Sequence, residues 1–159
     1  MTIRRATPAD ASAIAAIWNH YIRDTIVTFN SREKSSTDLA AAIATPETPF
    51  YVADDDGDIA GFATYSDFRK GVGYAFTKEH TVMLTPGAAG RGNGRALLDA
   101  IEQHAKHQRI NSLFAGVSAE NTAAITFHKA CGYPEVARLA KVGWKFGRWH
   151  DLVLMQKFL

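Results

Sequence analysis

The sequence predicts an α/β protein with a mixed β-sheet. Three observations support this class. Strand and helix patterns alternate along the chain, an acidic turn joins two strands as a hairpin, and two strands follow one another at the C-terminus. Helical crossovers join parallel strands and hairpins join antiparallel ones, so a sheet that contains both is mixed. The length of 159 residues predicts a single domain over residues 1–159.

The first elements are a short strand at residues 3–5 and two helices. Thr7 is the predicted N-cap of the first helix, with a proline in the first helical position and apolar residues at helical spacing from Ile14 to Ile22. The second helix is rich in alanine, begins at Thr37, and ends before Pro46 because proline disfavours helical geometry in the residue that precedes it.

The remaining elements alternate more regularly. Strands at 50–53 and 59–65 flank the acidic turn 54–58, which is a hairpin pattern. The elements that follow are a strand at 74–84, a glycine-rich loop, a helix at 94–109, a strand at 113–117, a helix at 122–130 closed by Gly132, and strands at 135–140 and 149–158.

Composition and charge argue against several functional classes. The net charge of +2 and the lack of a Lys/Arg run predict no nucleic-acid partner. No apolar stretch reaches membrane-spanning length, so no membrane association is expected. The six histidines never stand beside cysteine at metal-ligand spacing, so no metal is expected. The single Cys131 fits a reducing compartment, and we expect a cytoplasmic location.

The stretch "TPGAAGRGNGRALLDAIEQH" at residues 85–104 places four glycines directly before a helix. Its spacing matches neither the dinucleotide pattern G-x-G-x-x-G nor a Walker loop, which needs Lys and then Ser or Thr after its last glycine. Glycines let backbone N–H groups approach an anion, and the following helix adds its positive end. The loop alone leaves two alternatives open: a pyrophosphate site or a flexible turn.

The position of the loop after the fourth strand resembles the GNAT superfamily of acyl-CoA-dependent N-acyltransferases. In that superfamily a (Q/R)-x-x-G-x-(G/A) loop binds the pyrophosphate of coenzyme A. Gly92 and Gly94 match the two small positions, whereas Ala89 stands where Gln or Arg is usual. The resemblance implies acetyl-CoA as cosubstrate and a GNAT fold with a central mixed sheet flanked by helices.

Four longer blocks resemble the phosphinothricin and methionine sulfone (sulfoximine) acetyltransferase branch of this superfamily. They are "WNHYIRDTIVTF" (18–29), "FTKEHTVML" (76–84), "ENTAAITFHKACGY" (120–133) and "GWKFGRWHDLVLMQ" (143–156). Together they span nearly the whole chain. The branch implies a small amine substrate and a homodimer.

The resemblance also assigns roles to individual residues. Glu79 is the expected general base, and His128 is expected near the leaving sulfur as an acid or as a positioning group. The expected cofactor-binding residues are Val82, Met83, Leu84, Gly90, Arg91, Gly92, Asn93, Gly94, Arg95 and Asn121. The expected substrate residues are Phe29, Arg69, Val72, Gly73 and Tyr74.

Several neighbouring residues are expected to be structural. His80 points to the strand face opposite Glu79, and Cys131 is expected to be a small buried hydrophobe. We expect His150 and Asp151 to form a buried polar pair, and Trp149, like Trp18, to belong to the core rather than to a pocket.

The leading hypothesis is direct transfer of acetyl from acetyl-CoA to the primary amine of an amino acid or analogue. Two alternatives stay open: a CoA-binding or regulatory module without turnover, favoured by Ala89, and an acetyltransferase for peptide or protein N-termini. Glu79 and His128 favour an enzyme.

Overall fold

A computed structural model describes all 159 residues. It contains one seven-stranded sheet with the strand order β1-β2-β3-β4-β5-β7-β6. The elements are β1 (Thr2–Arg5), α1 (Ala11–Asp24), α2 (Ser36–Ala44), β2 (Phe50–Asp55), β3 (Asp58–Asp67), β4 (Thr77–Leu84), α3 (Asn93–His107), β5 (Ser112–Ser118), α4 (Thr122–Ala130), β6 (Glu135–Lys145) and β7 (Arg148–Phe158).

The sheet is mixed, as the sequence predicts. Only β4 and β5 pair in parallel, and every other neighbouring pair is antiparallel. The chain crosses from β4 to β5 through α3, which is the connection that a parallel pair requires. The predicted order of helices and strands is therefore confirmed.

Several predicted boundaries differ from the structure. The strand predicted from residue 74 begins at Thr77, because Val72–Tyr74 form a 3₁₀ turn after Gly71, whose φ is 114°. Helix α2 begins one residue early because Ser35, and not Thr37, is its cap: the Ser35 hydroxyl accepts the N–H of Asp38.

The C-terminal hairpin is longer than predicted. Strand β6 continues to Lys145 and meets β7 at a two-residue turn formed by Phe146 (φ 52°) and Gly147 (φ 70°). Two positive φ values in succession are typical of the tight hairpin turn whose twist matches that of the strands. Phe-Gly lacks the Asn-Gly or Asp-Gly signature, so the sequence pattern did not reveal the turn.

Both faces of the sheet are covered by helices. One core packs α1 and α2 against side chains such as Val52 and Phe62, and the other packs α3 against their strand neighbours Ala53 and Ala63. Alternate residues of β2 and β3 thus face different cores. The sheet therefore forms the middle layer between the helices, and the ends of its strands remain available for a functional site.

The start of helix α1 is tied to the sheet by Asp10, which is 8% exposed. Arg4 donates to both carboxylate oxygens, at 2.8 and 2.9 Å, and the backbone N–H of Thr7 donates to Oδ2 at 2.7 Å. The hydrogen bonds from Arg4 are the main cause that lowers the pKa of Asp10 from 3.8 to about 2.

We expect Asp10→Asn to lower the free energy of unfolding by about 2 kcal/mol at pH 7, the value of a pKa shift of this size. A lowered folded-state pKa stabilises the protein above the unfolded pKa of Asp10. The difference between variant and wild type should therefore shrink as pH falls from about 5 towards 2. Urea unfolding across pH measures it, with the exposed Asp58→Asn as the control. A difference that does not change with pH would contradict the ion pair as its cause.

Candidate active site

A cavity of about 1020 Å³ lies where β4 and β5 separate. The two strands pair only from Thr77 opposite Ser112 to Glu79 opposite Phe114. Beyond that point β4 continues beside β3, and β5 continues beside β7. The sheet therefore opens between its two halves, and the cavity fills the opening.

The opening exposes one backbone edge of β4. Residues 81–84 pair with β3 on their other side and have no strand partner towards β5. Val82, Met83 and Leu84 all line the cavity. Such an edge can accept an extended ligand as an added strand, through main-chain hydrogen bonds.

The glycine-rich loop closes one end of the cavity. Gly87, Gly90 and Gly92 all have φ between 82° and 85°, the left-handed region, and Gly92 caps α3. This backbone geometry and the unpaired N–H groups in the first turn of α3 form a concave amide surface suited to an anion.

The loop residues predicted to bind cofactor divide into two sets. Gly90, Gly92, Gly94 and Arg95 line the cavity. Arg91 is exposed and Asn93 is buried outside the lining, so neither side chain reaches the cavity in this structure. Arg95 also donates to the carbonyl of Ala130 at 3.1 Å, which ties α3 to the end of α4.

Glu79 occupies the point where the strands separate. Its carboxylate lies against Gly116 of β5, with Oε1 3.4 Å from the place a Cβ would take there. Burial raises the pKa of Glu79 above 4.5. A buried carboxylate with a raised pKa is a stronger proton acceptor than an exposed one, which suits a general base.

His128 faces the same cavity from α4 and has a defined tautomer. Its Nδ1 lies 2.8 Å from the carbonyl of Ala124, which can only accept, so Nδ1 carries the hydrogen. Its buried Nε2 has no hydrogen-bond partner and carries the lone pair. Burial lowers the pKa of His128 below 6.5 and favours this neutral form.

His80 packs against His128, a contact that sequence reasoning missed. The two rings stack at 5.1 Å with an angle of 23° between their planes, and Tyr133 meets His80 edge-on at 5.3 Å. His80 does lie on the opposite strand face from Glu79, as expected, but it also lines the cavity. Burial and the nearby His128 lower the pKa of His80 to about 3, so the ring is neutral.

Asn121 and Phe29 complete the set of predicted residues that reach the cavity. Asn121 caps α4, and its side-chain oxygen accepts the N–H of Ala124 at 3.2 Å. It lies seven residues before His128, and both line the cavity from one helix face, as their spacing predicts.

The other predicted substrate residues lie elsewhere. Arg69, Val72, Gly73 and Tyr74 do not line the cavity, and Val72 is 95% exposed. The 3₁₀ turn replaces the predicted strand here and leaves the loop outside the cavity wall, where Arg69 lies over the ring of Tyr74 at 5.2 Å. Within one chain, the geometry does not bring these four residues to the site.

Two expectations about supporting residues are wrong. His150 and Asp151 do not pair, since successive strand residues face opposite sides: buried His150 contacts Glu120, and exposed Asp151 accepts the N–H of Lys141. Trp149 is 53% exposed and does not belong to the core, and Trp18 is only partly buried beside the core and also lines the cavity. Cys131 is buried, as expected.

Comparison with known proteins identifies the family. Residues 3–154 match the family model described as an acetyltransferase (GNAT) domain. The chain belongs to the GNAT acetyltransferase family. This confirms the enzyme class and the fold that the sequence predicts.

Relatives of this GNAT protein have narrower names. A "L-methionine sulfoximine/L-methionine sulfone acetyltransferase" of Salmonella typhimurium is 35% identical, over 98% of this chain and 93% of the relative. A "Phosphinothricin N-acetyltransferase" of Alcaligenes faecalis is 36% identical, over 98% of this chain and 81% of the relative. These names confirm the predicted branch.

A solved acetyltransferase of Salmonella typhimurium, determined with its cofactor acetyl-CoA, superposes with a TM-score of 0.95 at 34% identity. The match covers 100% of this chain and 94% of that one. The predicted acetyl-CoA-dependent class is thereby supported for this GNAT chain. No helix has the length and apolarity needed to cross a membrane, and no three His, Cys, Asp or Glu side chains group as metal ligands.

The glycine-rich loop generates a paired prediction. Gly92 and Gly87 share a left-handed φ and open space around the missing Cβ, but only Gly92 lines the cavity. We expect Gly92→Val and Gly87→Val to cost similar stability, about 1–3 kcal/mol of backbone strain. Only Gly92→Val should weaken coenzyme A binding, by roughly tenfold or more through lost amide contacts. Calorimetric titration with coenzyme A measures this, and equal affinity in the two variants would contradict the loop assignment.

Proposed function

We propose that the protein transfers an acetyl group from acetyl-CoA to the primary amine of a small, amino-acid-like substrate. The observation that carries the proposal is the continuity of one cavity, from the amide surface of the glycine-rich loop to Glu79 and His128. A pyrophosphate-bearing donor at one end and an amine at the other would meet beside a buried base. The names of the relatives favour methionine sulfone, methionine sulfoximine or phosphinothricin as the kind of acceptor.

The residues present fit acetyl-CoA in two places. The loop from Gly90 to Arg95, with the start of α3, would hold the pyrophosphate, and Asn121 would contact the donor from α4. The free backbone edge at Val82–Leu84 would pair with the pantetheine amides, and one of its N–H groups would polarise the thioester carbonyl. When bound, acetyl-CoA supplies the thioester whose acetyl group moves to the amine.

Glu79 would take a proton from the incoming ammonium, directly or through one water. An amine attacks a carbonyl only as its free base, and most alkyl amines are protonated at neutral pH. Glu79 is placed at the strand separation, and burial raises its pKa. The amine nitrogen would then attack the acetyl carbonyl as the bond to sulfur breaks.

His128 would act as a proton acceptor or a positioning group, rather than as a ready acid. Its Nδ1–H is donated to Ala124 and its Nε2 carries a lone pair, so it has no proton to give to the sulfur until it has first gained one. A thiolate with an ordinary pKa near ~8.5 leaves without much acid assistance. Nε2 can instead accept the second proton, which the nitrogen loses after its attack as the amide forms.

Transfer would be direct, in a complex that holds both substrates. The cavity contains one cysteine, Cys131, and its sulfur is a poor acyl carrier because burial raises the pKa of the thiol. No covalent acetyl-enzyme is needed when both substrates lie in one cavity.

The acceptor end of the cavity combines apolar side chains with the polar Thr28 and Asn30, and it lacks a cation. Trp18, Tyr21, Val27 and Phe29 line it, and the only Lys or Arg in the whole lining is Arg95, at the glycine-rich loop. The site therefore favours acceptors with an apolar side chain, and a free carboxylate finds no arginine inside the cavity. Acetylation of peptide N-termini is the alternative that this lack of a carboxylate partner favours.

Two further predictions complete the proposal. A homodimer remains our proposal, supported by apolar side chains left exposed on the C-terminal hairpin, of which Trp144 and Phe146 are 55% and 58% exposed. The cytoplasmic location stays a prediction.

A CoA-binding module without turnover is disfavoured by the buried Glu79 and the defined His128 tautomer.

The substitution Glu79→Gln tests whether Glu79 is the general base. Glutamine keeps the shape and removes the basicity, so we expect kcat to fall by about 10²–10⁴-fold. In the wild type, kcat should fall as pH falls through the raised pKa of Glu79, and the variant should lose this limb. The exposed Glu47→Gln serves as the control. A variant that keeps both the rate and the limb would assign the proton to another group, with His128 the first candidate.

The acceptor end generates a specificity prediction. We expect methionine sulfone and its methyl ester to have similar kcat/KM once each is corrected for its fraction of free amine. A missing charge-assisted contact is worth about 1.5–3 kcal/mol, or roughly ten- to a hundredfold. Thiol release measured with both substrates decides the point. A preference above tenfold for the free acid would show that a cation from outside the cavity lining, such as Arg69, reaches the carboxylate.

A further inference from the structure

Lys145, at the end of β6, is a buried cation held by backbone carbonyls. The residue is 4% exposed, and its Nζ donates to the carbonyls of Thr25 at 2.6 Å, Thr28 at 2.7 Å and Tyr21 at 3.4 Å. No carboxylate is within ion-pair distance of the Lys145 ammonium, whereas eleven other ion pairs occur in the chain. Three acceptors match the three N–H donors of an ammonium group.

The three carbonyl oxygens that surround the Lys145 ammonium offer only hydrogen-bond acceptors, so the cluster is suited to a cation. Tyr21 lies in the last turn of α1, which ends at Asp24, and Thr25 is its C-cap. Carbonyls at a helix C-terminus lack partners within the helix and carry its partial negative charge. Removing the ammonium would take this donor from the carbonyls of Thr25 and Thr28, whereas the Tyr21 carbonyl would keep the Thr25 hydroxyl at 2.8 Å. Losing a donor from a buried acceptor is more costly than losing an exposed hydrogen bond.

The segment that Lys145 holds forms a wall of the active-site cavity. We call residues 25–30 the wall segment; Val27, Thr28, Phe29 and Asn30 all line the cavity. The wall segment belongs to no helix or strand. Its position therefore depends on contacts with other parts of the chain.

The hairpin of β6 and β7, which carries Lys145, also fixes the ring of Phe29. Gly143 of β6 lies directly under the ring, and a Cβ at that position would overlap it. His150 of β7, the cross-strand partner of Gly143, stacks on the same ring at 5.3 Å, with 28° between the rings, and its Nε2–H donates to the carbonyl of Lys145 at 3.0 Å. Lys145, Gly143 and His150 thus hold one segment from one hairpin.

We propose that Lys145 is a positioning residue that fixes the acceptor-facing wall of the cavity. The inference rests on the proposed function, because it assigns the wall segment to the amine rather than to the donor. The ammonium does not face the reacting atoms and acts through the backbone of residues 21–28. No hydrogen bond joins the wall segment to the glycine-rich loop, so coenzyme A binding should not depend on the wall segment.

Lys145→Met separates this role from general stability. Methionine keeps the length and apolar stem and removes all three donors. We expect KM for the amine to rise by about tenfold or more, as loss of charge-assisted hydrogen bonds implies, while the Kd for coenzyme A stays within about twofold by the same affinity arithmetic. Lys141→Met, an exposed lysine of the same strand, is the matched control and should change neither value.

Amide hydrogen exchange gives a readout that needs no turnover. Exchange of the N–H groups of residues 26–30 should accelerate in Lys145→Met and not in Lys141→Met, while α3 stays protected in both. Lys145→Gln keeps two N–H donors and should give intermediate values, and it decides the question if the methionine variant does not fold. Unchanged exchange at 26–30 with unchanged acceptor KM would overturn the proposal. If the wild type acetylates no amine, the proposed function fails, and the exchange comparison still decides whether Lys145 holds the wall.

Discussion

The separation of β4 from β5 is the constraint on which the rest of the site depends. The two strands pair over three positions and then diverge, because each follows a different antiparallel neighbour. The divergence leaves a main-chain edge without a second strand partner at Thr81–Leu84, and the carbonyl of Leu84 accepts the Tyr21 hydroxyl at 2.6 Å. Proteins normally cover or blunt such an edge. Here the edge faces a cavity instead of solvent, and an extended ligand can complete it. The glycine-rich loop follows directly at the end of β4, so the same break in the sheet places the proposed anion site beside the strand edge.

Three ionisable side chains at the base of this opening are buried without charged partners, and their burial shifts their pKa values. Desolvation raises the pKa of Glu79 and lowers the pKa values of His80 and His128, so all three shift towards their neutral forms. Three cations that are fixed by contacts in the structure lie outside the cavity lining. Arg4 forms an ion pair with Asp10, Lys157 forms one with Glu102, and Lys145 donates to backbone carbonyls. We propose that this environment lets an ammonium group at the acceptor end lose its proton, so that the free amine can act as a nucleophile.

The sequence predicted the fold, because helix spacing, hairpin turns and glycine clusters are local patterns. Most of the predicted site residues line the cavity, but they are fewer than half of its lining. Glu79, Asn121 and His128 came from resemblance to a family, and the structure brings all three to one cavity. Contacts between distant segments were missed. The stacking of His80 on His128 joins β4 to α4, and Lys145 reaches carbonyls more than 100 residues away in the chain. The strand predicted at 74–84 was begun three residues too early, since Val72–Tyr74 form a 3₁₀ turn and the strand starts at Thr77.

A structure of the protein crystallised with coenzyme A tests the central claim most directly, because it shows where the ligand completes the open sheet. The account predicts the pantetheine chain between β4 and β5, with its amides hydrogen-bonded to the backbone of residues 82–84. The pyrophosphate should lie on the N–H groups of residues 90–95, and the sulfur should end beside His128 and Glu79. A ligand bound outside the opening, or one whose pantetheine makes no main-chain contact with β4, would contradict the claim that the separated strands form the donor site.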